Sequence, residues 1–120
     1  MNDFFLWDTY AFFEIIEGNK DYVNYANMKS ATTIFNMVEL NYNLKKEMPK
    51  KQADLYTKKY ASLVVDIEFE DIINASNLKT LNRKLSIPDC IGYIVAKRIG
   101  AKFLTGDKEF EKMANVEFVK

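Results

Sequence analysis

Two aspartates follow short apolar stretches and precede segments with helical character. Asp8 comes directly after FFLW, and Asp107 follows KFLTG. Each stretch is typical of a buried strand, and ligands of open parallel sheets bind beyond the carboxyl ends of the strands. We therefore expect Asp8 and Asp107 to lie at the same edge of a sheet. A simpler interpretation remains open for Asp107, because Gly106 permits unusual backbone angles and aspartate is a good helix N-cap.

Two further acids, Glu39 and Asp89, lie in predicted helices. Glu39 falls within the arc of an apolar stripe, which directs its carboxylate toward the protein interior. That stripe consists of Phe35, Val38 and Tyr42. Asp89 lies in the first turn of a helix that begins near a proline. Simpler interpretations stay open here too. Glu39 can be partly exposed or paired with a lysine or tyrosine, and Asp89 can act only through its favourable interaction with the helix dipole.

Four carboxylates at one sheet edge would repel each other, and like charges raise pKa values unless a cation neutralises them. Mg²⁺ or Mn²⁺ with retained waters is a suitable cation, because hard divalent ions prefer oxygen ligands. Such a site can activate a water as nucleophile and stabilise phosphoryl oxygens during phosphodiester cleavage. The hydroxyls of Thr105 and Thr9 can hold a carboxylate or a water there, although a turn role is the simpler interpretation of Thr9.

The composition restricts the chemistry to acids and other non-histidine groups. The 120 residues include no histidine and one cysteine, Cys90, which excludes Ser-His-Asp catalysis, Cys-His catalysis and zinc sites that use histidine. A lone cysteine forms no intramolecular disulfide and fits a cytoplasmic location. The formal net charge is zero, so a nucleic-acid partner must be bound by a local basic patch or through metal ions. No segment reaches the roughly 18 apolar residues that span a membrane, so no membrane partner is predicted.

Predicted strands alternate with predicted helices along the chain. The strands are expected at 4–7, 31–34, 63–65, 102–104 and 116–119, and the helices at 10–17, 21–28, 35–48, 50–60, 68–84, 88–99 and 108–113. In the helix 68–84, the positions expected to be buried are Phe69, Ile72, Ile73 and Leu81. This alternation predicts an α/β fold with a mostly parallel sheet, and the lack of repeats or linkers predicts a single domain over residues 1–120.

The most basic segment is 44–60, LKKEMPKKQADLYTKKY, which holds six lysines against Glu47 and Asp54. The functional interpretation is a rim that contacts RNA through phosphate-binding lysines and stacking aromatics. Its candidate residues are Lys45, Lys46, Lys50, Lys51 and Tyr56. The pattern favours the plainer interpretation of a solvated helix face. The aromatic start of the chain can likewise supply a protein-binding surface, although most such residues belong to the core.

With these residues identified, the sequence resembles the PIN-domain family, of the VapC-like kind. LWDTYAFFEIIEG resembles the family's opening strand, aspartate, threonine and helix, and Glu39 in FNMVELNYNL resembles its second acid. IPDCIGYIVAKRIGAKFLTGDKEFEKMANVEFVK resembles the family's closing block, in which an aspartate opens a helix and Thr-x-Asp follows a strand. The resemblance implies a PIN-like α/β fold, with a central twisted, mostly parallel sheet flanked by helices on both sides.

The resemblance also implies a Mg²⁺- or Mn²⁺-dependent endoribonuclease. Its catalytic acids would be Asp8, Glu39, Asp89 and Asp107, with the metal on Asp8, Asp89 and Asp107 and support from Thr105. VapC-like members are commonly toxins that cleave RNA and are held inactive by a cognate antitoxin protein, and many are homodimers. Tyr10 departs from the pattern, because many members have a small hydroxyl residue there.

Two other functions compete with RNA cleavage. One is a catalytically silent PIN-fold module that binds RNA or a protein through the same groove. The other is a receiver-like domain with a phosphorylatable aspartate. The receiver-like reading is the weakest, because it needs an acidic pair early in the chain and a lysine after a late strand. Asp3 and Asp8 are not adjacent, and no lysine is well placed.

Overall fold

Four parallel strands form one sheet in the computed structural model, which describes residues 3–120. The strands are β1 (Phe4–Trp7), β2 (Lys29–Ala31), β3 (Lys102–Thr105) and β4 (Val116–Phe118), in the order β2-β1-β3-β4. Trp7 pairs with Leu104, and Thr105 pairs with Phe118. The carboxyl ends of β1 and β3 therefore lie side by side in the middle of the sheet. The predicted parallel α/β sheet is confirmed.

Five α-helices connect and cover the strands. They are α1 (Thr9–Ile16), α2 (Ile34–Glu47), α3 (Lys50–Lys59), α4 (Phe69–Leu81) and α5 (Ile87–Ile99). Pro49 separates α2 from α3 and occupies the N-cap of α3. Gly100 ends α5 in the left-handed conformation, with φ 78°, which glycine adopts at little cost. No helix among residues 3–120 has the length and apolar character needed to cross a membrane.

Alternate residues of the central strands enter two different cores. Leu6 and Phe103 belong to a core built with α4 and α5. Phe5, Trp7 and Leu104 belong to a second core built with α1, α2 and α3. This division follows from the period of two along a strand, which directs successive side chains to opposite faces. Helices therefore cover both faces of the sheet, as the sequence predicted.

The expected buried stripe of α4 is wrong, and that of α2 is wrong at two of its three positions, because only Phe35 packs, partly buried, against the first core. In α2, Val38 and Tyr42 are 66% and 63% exposed, and the buried residues are Asn36, Met37, Leu40 and Leu44. Helix α2 has two apolar stripes, and the one with Met37, Leu40 and Leu44 packs into the core. In α4, the four residues expected to be buried are all exposed: Phe69, Ile72, Ile73 and Leu81. Asp71 and Ala75 are buried there instead.

Four short elements also differ from the sequence prediction. The strand expected at 31–34 is Lys29–Ala31, because Thr33 caps α2 and Ile34 begins that helix. The expected strand at 63–65 is a 3₁₀ turn (Ala61–Leu63) followed by an isolated bridge between Thr32 and Val64. The expected helix at 21–28 is a 3₁₀ helix (Val23–Asn27), and that at 108–113 is a single 3₁₀ turn (Lys108–Phe110). Such short 3₁₀ segments are difficult to predict from sequence, because they contain too few residues to show a repeating apolar pattern.

Arg98 on α5 holds the buried Asp71 on α4. Its Nε donates to the two carboxylate oxygens at 3.0 and 3.1 Å, and its Nη2 lies 2.9 Å from Oδ2. Asp71 also accepts a hydrogen bond from the backbone N–H of Glu68 at 2.8 Å, which forms a capping box. Burial alone would raise the pKa of Asp71, but the hydrogen bonds from Arg98 and from the Glu68 N–H, together with the charge of Arg98, outweigh burial and lower it. This pair fixes α4 against α5.

Replacing Arg98 with methionine should lower the free energy of unfolding by about 2 kcal/mol at neutral pH. The variant leaves the carboxylate of Asp71, which is 2% exposed, without its cation. Urea unfolding monitored by circular dichroism measures the loss. Because the folded-state pKa of Asp71 is lowered in the parent, the stabilisation is present above the unfolded pKa and disappears as pH falls through the folded pKa.

The matched control is Lys45→Met, which removes an ion pair with Asp54 whose side chains are 34% and 48% exposed. Exposed pairs contribute little, so this variant should change stability by less than about 0.5 kcal/mol. Equal effects of the two substitutions would contradict the structural role of Arg98.

Candidate active site

Asp8 lies at the carboxyl end of β1 and is 1% exposed. Its Oδ1 accepts a hydrogen bond from the backbone N–H of Ala11 at 2.7 Å, so it is the N-cap of α1. Its Oδ2 accepts a hydrogen bond from the hydroxyl of Thr105 on β3. Its own backbone N–H donates to the carbonyl of Leu104 at 3.2 Å. Asp8 therefore joins β1, α1 and β3 through one side chain and one peptide group.

Asp107 lies two residues beyond β3, on the same sheet edge as Asp8. Its backbone N–H donates to the Thr105 hydroxyl oxygen at 3.0 Å, while that hydroxyl donates to Asp8. The Asp107 carboxylate accepts from the backbone N–H of Glu109 at 3.0 Å and caps the following turn. The two interpretations of Asp107 are therefore compatible, because it caps a turn and also faces the site.

Gly106 provides space rather than an unusual backbone angle. Among the described residues, the glycines with positive φ are Gly18 and Gly100. A Cβ at position 106 would overlap the ring of Tyr10 and lie 2.7 Å from the carbonyl oxygen of Val119. The absence of a side chain therefore lets Tyr10 pack directly against the backbone beside Asp107.

Glu39 is half-buried on α2 and faces the same region. The hydroxyl of Thr9 donates to its Oε1 at 2.7 Å. The turn role that the sequence favoured for Thr9 is therefore incomplete, because Thr9 opens α1 and also orients an acid on α2. The exposed stripe that includes Val38 does not carry Glu39 into the core, so its carboxylate remains partly open to solvent.

Asp89 lies in the first turn of α5, where the Ser86 hydroxyl caps the helix by accepting from the Asp89 backbone N–H at 3.2 Å. Burial, followed by the charge of Glu39 and with a smaller contribution from Asp107, raises the pKa of its carboxyl to about 7. The dipole of α5 favours a negative charge at this position, but the burial and like charges dominate. A favourable interaction with the helix dipole alone therefore does not explain the environment of the Asp89 carboxyl.

The four predicted acids line one cavity of about 540 Å³, together with residues that the sequence analysis did not assign to it. The additional lining side chains include Tyr10, Phe13, Asn43 and Lys108. Burial raises the pKa of Asp8 well above its ordinary value, followed by the charge of Asp89. The helical spacing of Glu39 and Asn43, four residues apart on α2, was the signal that could have identified the asparagine.

The donor set of this cavity fits a hard divalent cation that keeps much of its water. As placed, no three acidic or cysteine side chains among residues 3–120 converge tightly enough to ligate an ion directly. Mg²⁺ usually retains several waters and takes only one or two carboxylates, so a fully assembled protein cage is not required. The mutual repulsion of Asp8 and Asp89 is the condition that such a cation relieves.

The basic segment lies apart from the lining of the acidic cavity. None of the five residues proposed to contact RNA lines it: Lys45, Lys46, Lys50, Lys51 and Tyr56. Lys45 pairs with Asp54 at 3.1 Å, and Lys46 lies 4.5 Å from the ring centroid of Tyr42. Tyr56 is half-buried against the second core. Contact of this segment with RNA therefore stays a prediction, and the lysine at the cavity is Lys108.

The sequence of residues 5–116 matches the family model of the PIN domain. The chain belongs to the PIN-domain family. The resemblance inferred from its acidic motifs is thus confirmed at the level of the family. No protein with a curated description matches this PIN-domain chain.

Several solved structures share the fold. VapBC2 from Rickettsia felis, bound to a DNA fragment from its promoter, matches with a TM-score of 0.73 at 17% identity, covering 97% of each chain. PAE2754 from Pyrobaculum aerophilum matches with a TM-score of 0.71 at 21% identity, covering 99% of this chain and 92% of that one. VapBC-1 from nontypeable Haemophilus influenzae has a TM-score of 0.73 at 12% identity, covering 98% and 97%. At these identities the likeness establishes the PIN-like fold.

Replacing Asp89 with asparagine should stabilise the metal-free protein by about 4 kcal/mol at a pH of about 8, because its pKa is raised from 3.8 to about 7. Because the pKa of Asp89 is raised in the folded state, its favourable contribution is complete below the unfolded pKa and is lost as pH rises through about 7. Asparagine does not ionise, so the variant avoids the cost of a buried negative charge at high pH. It also loses the small stabilisation that this charge gains from the dipole of α5. Urea unfolding in EDTA measures the gain, which should shrink as pH falls toward 5.

Asp54→Asn is the control, because hydrogen bonds from Asn41 and Lys45 lower the pKa of that exposed carboxyl. It should give no gain in stability at either pH. A loss of stability in Asp89→Asn at high pH would contradict the repulsion inferred for the cavity.

Proposed function

We propose that this PIN-domain chain is a metal-dependent endoribonuclease that hydrolyses RNA phosphodiester bonds in the cytoplasm, as the toxin of a toxin–antitoxin pair. The observation that carries the proposal is the convergence of four acids, from β1, α2, α5 and the end of β3, on one cavity. Two of these acids have raised pKa values because burial and their neighbours' charges oppose ionisation. Perturbed acids in a cleft are typical of functional sites.

The residues that would hold Mg²⁺ or Mn²⁺ are Asp8, Asp89 and Asp107. A divalent ion bound there supplies Lewis-acid stabilisation of phosphoryl oxygens and lowers the pKa of a bound water. Thr105 restricts the Asp8 carboxylate by its hydrogen bond, and Thr9 orients Glu39 in the same way. Glu39, half-exposed at the cavity, can accept a proton from water, and Lys108 can contact a substrate phosphate.

Purified protein should cleave a labelled RNA panel in Mg²⁺ or Mn²⁺, and EDTA should abolish the cleavage. Asp8→Asn and Asp107→Asn should each reduce the rate by at least about a hundredfold, because each removes a charge that holds the cation. Gel analysis of the products measures the rate, and circular dichroism verifies the fold. Asp54→Asn, an exposed acid outside the cavity, is the matched control and should keep full activity.

The alternative function is a catalytically silent PIN-fold module that binds RNA or a protein. Under that alternative, well-folded protein cleaves no RNA, and its RNA binding survives EDTA and the Asp8→Asn substitution. Full cleavage by Asp8→Asn would contradict both the proposed nuclease site and the silent-module alternative, because the catalytic residues would then lie elsewhere in the chain.

The proposed partner is a cognate antitoxin protein. The support is the shared fold with chains from VapBC2 of Rickettsia felis and from a toxin–antitoxin complex of Klebsiella pneumoniae, the latter with a TM-score of 0.72 at 19% identity. An antitoxin that blocks the acidic cavity would suppress cleavage without altering the four acids.

A homodimer is the second part of the proposed assembly, and the apolar surface of α4 supports it. Phe69 and Leu81 are 76% and 85% exposed on this helix, and Ile72 and Ile73 are also exposed. Apolar side chains grouped on one helix are typical of protein-binding surfaces. Of these four residues, Leu81 also lines a cavity of about 680 Å³ between α4 and α5.

Phe69→Lys should convert the proposed dimer to monomer, because a charge on this surface would be buried at the interface. Light scattering after size-exclusion chromatography measures the mass. Leu55→Lys, at a similarly exposed apolar position on α3 (62% exposed), should leave the mass unchanged. A parent protein that remains monomeric at high concentration would refute the homodimer.

A further inference from the structure

We propose that Tyr10 and Phe13 form a stacking surface for the nucleobase beside the scissile phosphate. This inference rests on the proposed RNA-cleaving function. It assigns a positioning role to two aromatic side chains whose location at the acids the sequence alone did not reveal.

The two aromatic residues face the acids. Tyr10 and Phe13 lie three residues apart in α1, which places them on one face of the helix. Both line the same cavity as Asp8 and Asp107.

The ring of Tyr10 is held in place although 37% of the residue is exposed. One side of the ring packs on the backbone at Gly106, so closely that a Cβ there would overlap it. The buried Tyr22 lies next to it, with ring centroids 6.1 Å apart and an interplanar angle of 53°. Phe13 packs against the second core. A rigid aromatic surface loses little conformational entropy when a ligand stacks on it.

Stacking also solves an electrostatic problem of this cavity. Four acids line it, and the lining includes one lysine, Lys108. An RNA backbone approaching this lining meets more negative than positive charge, so phosphate contacts alone give weak attraction. Base–aromatic stacking does not depend on net charge, and every base has a face that can stack.

Stacking on Tyr10 requires a base that is free to leave its neighbours. In an A-form duplex the bases are stacked on one another inside the helix, whereas loops and single strands can present a base to an aromatic side chain. The geometry therefore favours single-stranded segments over duplex RNA. A purely structural role of Tyr10, as a cover over Gly106, predicts no such preference.

Tyr10→Leu and Tyr10→Phe separate the two roles. Leucine keeps apolar cover but removes the aromatic face, and phenylalanine keeps the face. Tyr42→Leu is the matched control, because Tyr42 is exposed on α2 and does not line the cavity. Steady-state cleavage is measured on a single-stranded RNA, on the same strand annealed to its complement, and on strands with an abasic nucleotide beside the cleavage site.

We expect Tyr10→Leu to raise KM on the single strand about tenfold with a smaller change in kcat, as loss of one stacked base does. Tyr10→Phe and Tyr42→Leu should stay within about twofold of the parent. The abasic strand should be cleaved poorly by the parent and no worse by Tyr10→Leu. Equal KM values for the parent and Tyr10→Leu, or an equal further loss on the abasic strand, would overturn the stacking role.

A binding measurement tests the stacking surface independently of whether the protein cleaves RNA. The Asp8→Asn protein, with and without Tyr10→Leu, is titrated into RNA that carries a fluorescent adenine analogue at successive positions. Quenching at one position that disappears with Tyr10→Leu supports the stacking surface even where the parent cleaves nothing, which would refute only the nuclease. Quenching that is the same in both proteins overturns the stacking surface even where the parent cleaves RNA.

Discussion

The carboxylate of Asp8 is almost fully buried at the end of a central strand, and much of the local structure exists to hold it there. An isolated buried charge is costly unless hydrogen bonds or a cation compensate it. The Ala11 N–H and the Thr105 hydroxyl supply two hydrogen bonds. The first sets the start of α1, and the second joins β1 to β3. The same two hydrogen bonds that offset the cost of burying the carboxylate therefore also position α1, which lines the cavity, and β3, which leads to Gly106 and Asp107 in its lining.

Hydrogen bonds offset only part of this cost, and burial together with repulsion between the carboxylates accounts for the remainder. The pKa of Asp89 is raised to about 7 by burial and then by Glu39, so the folded chain resists full ionisation of its own site. Each pKa unit corresponds to about 1.4 kcal/mol between protonation states. A cation that binds the folded chain would recover this energy, which couples metal affinity to the same acids that destabilise the metal-free fold.

Much of this site could be predicted from the sequence, because strand ends are recognisable. FFLW and KFLT are short apolar runs, and parallel strands bring their carboxyl ends to one edge, so Asp8 and Asp107 were predictable neighbours. The buried faces of α2 and α4 were not predictable in the same way. Helix α2 has two competing apolar stripes, and α4 packs through Ala75 and Asp71. Small and charged residues give no apolar signal, although Ala75 allows close helix packing and Arg98 neutralises Asp71.

Two aspartates of nearly equal burial show how structural and functional acids differ in this chain. Asp71 is 2% exposed and Asp8 is 1% exposed, yet the pKa of Asp71 is lowered and that of Asp8 is raised. Burial acts in the same direction on both. For Asp71, the hydrogen bonds from Arg98 and the Glu68 N–H and the guanidinium charge together outweigh burial, whereas for Asp8 the charge of Asp89 adds to burial and its hydrogen bonds do not outweigh them. A fold that needed Asp8 only as a helix cap would gain stability from a cation beside it, as α4 does. The placement of acids there instead supports the proposal that a metal ion supplies the missing positive charge at this edge of the sheet.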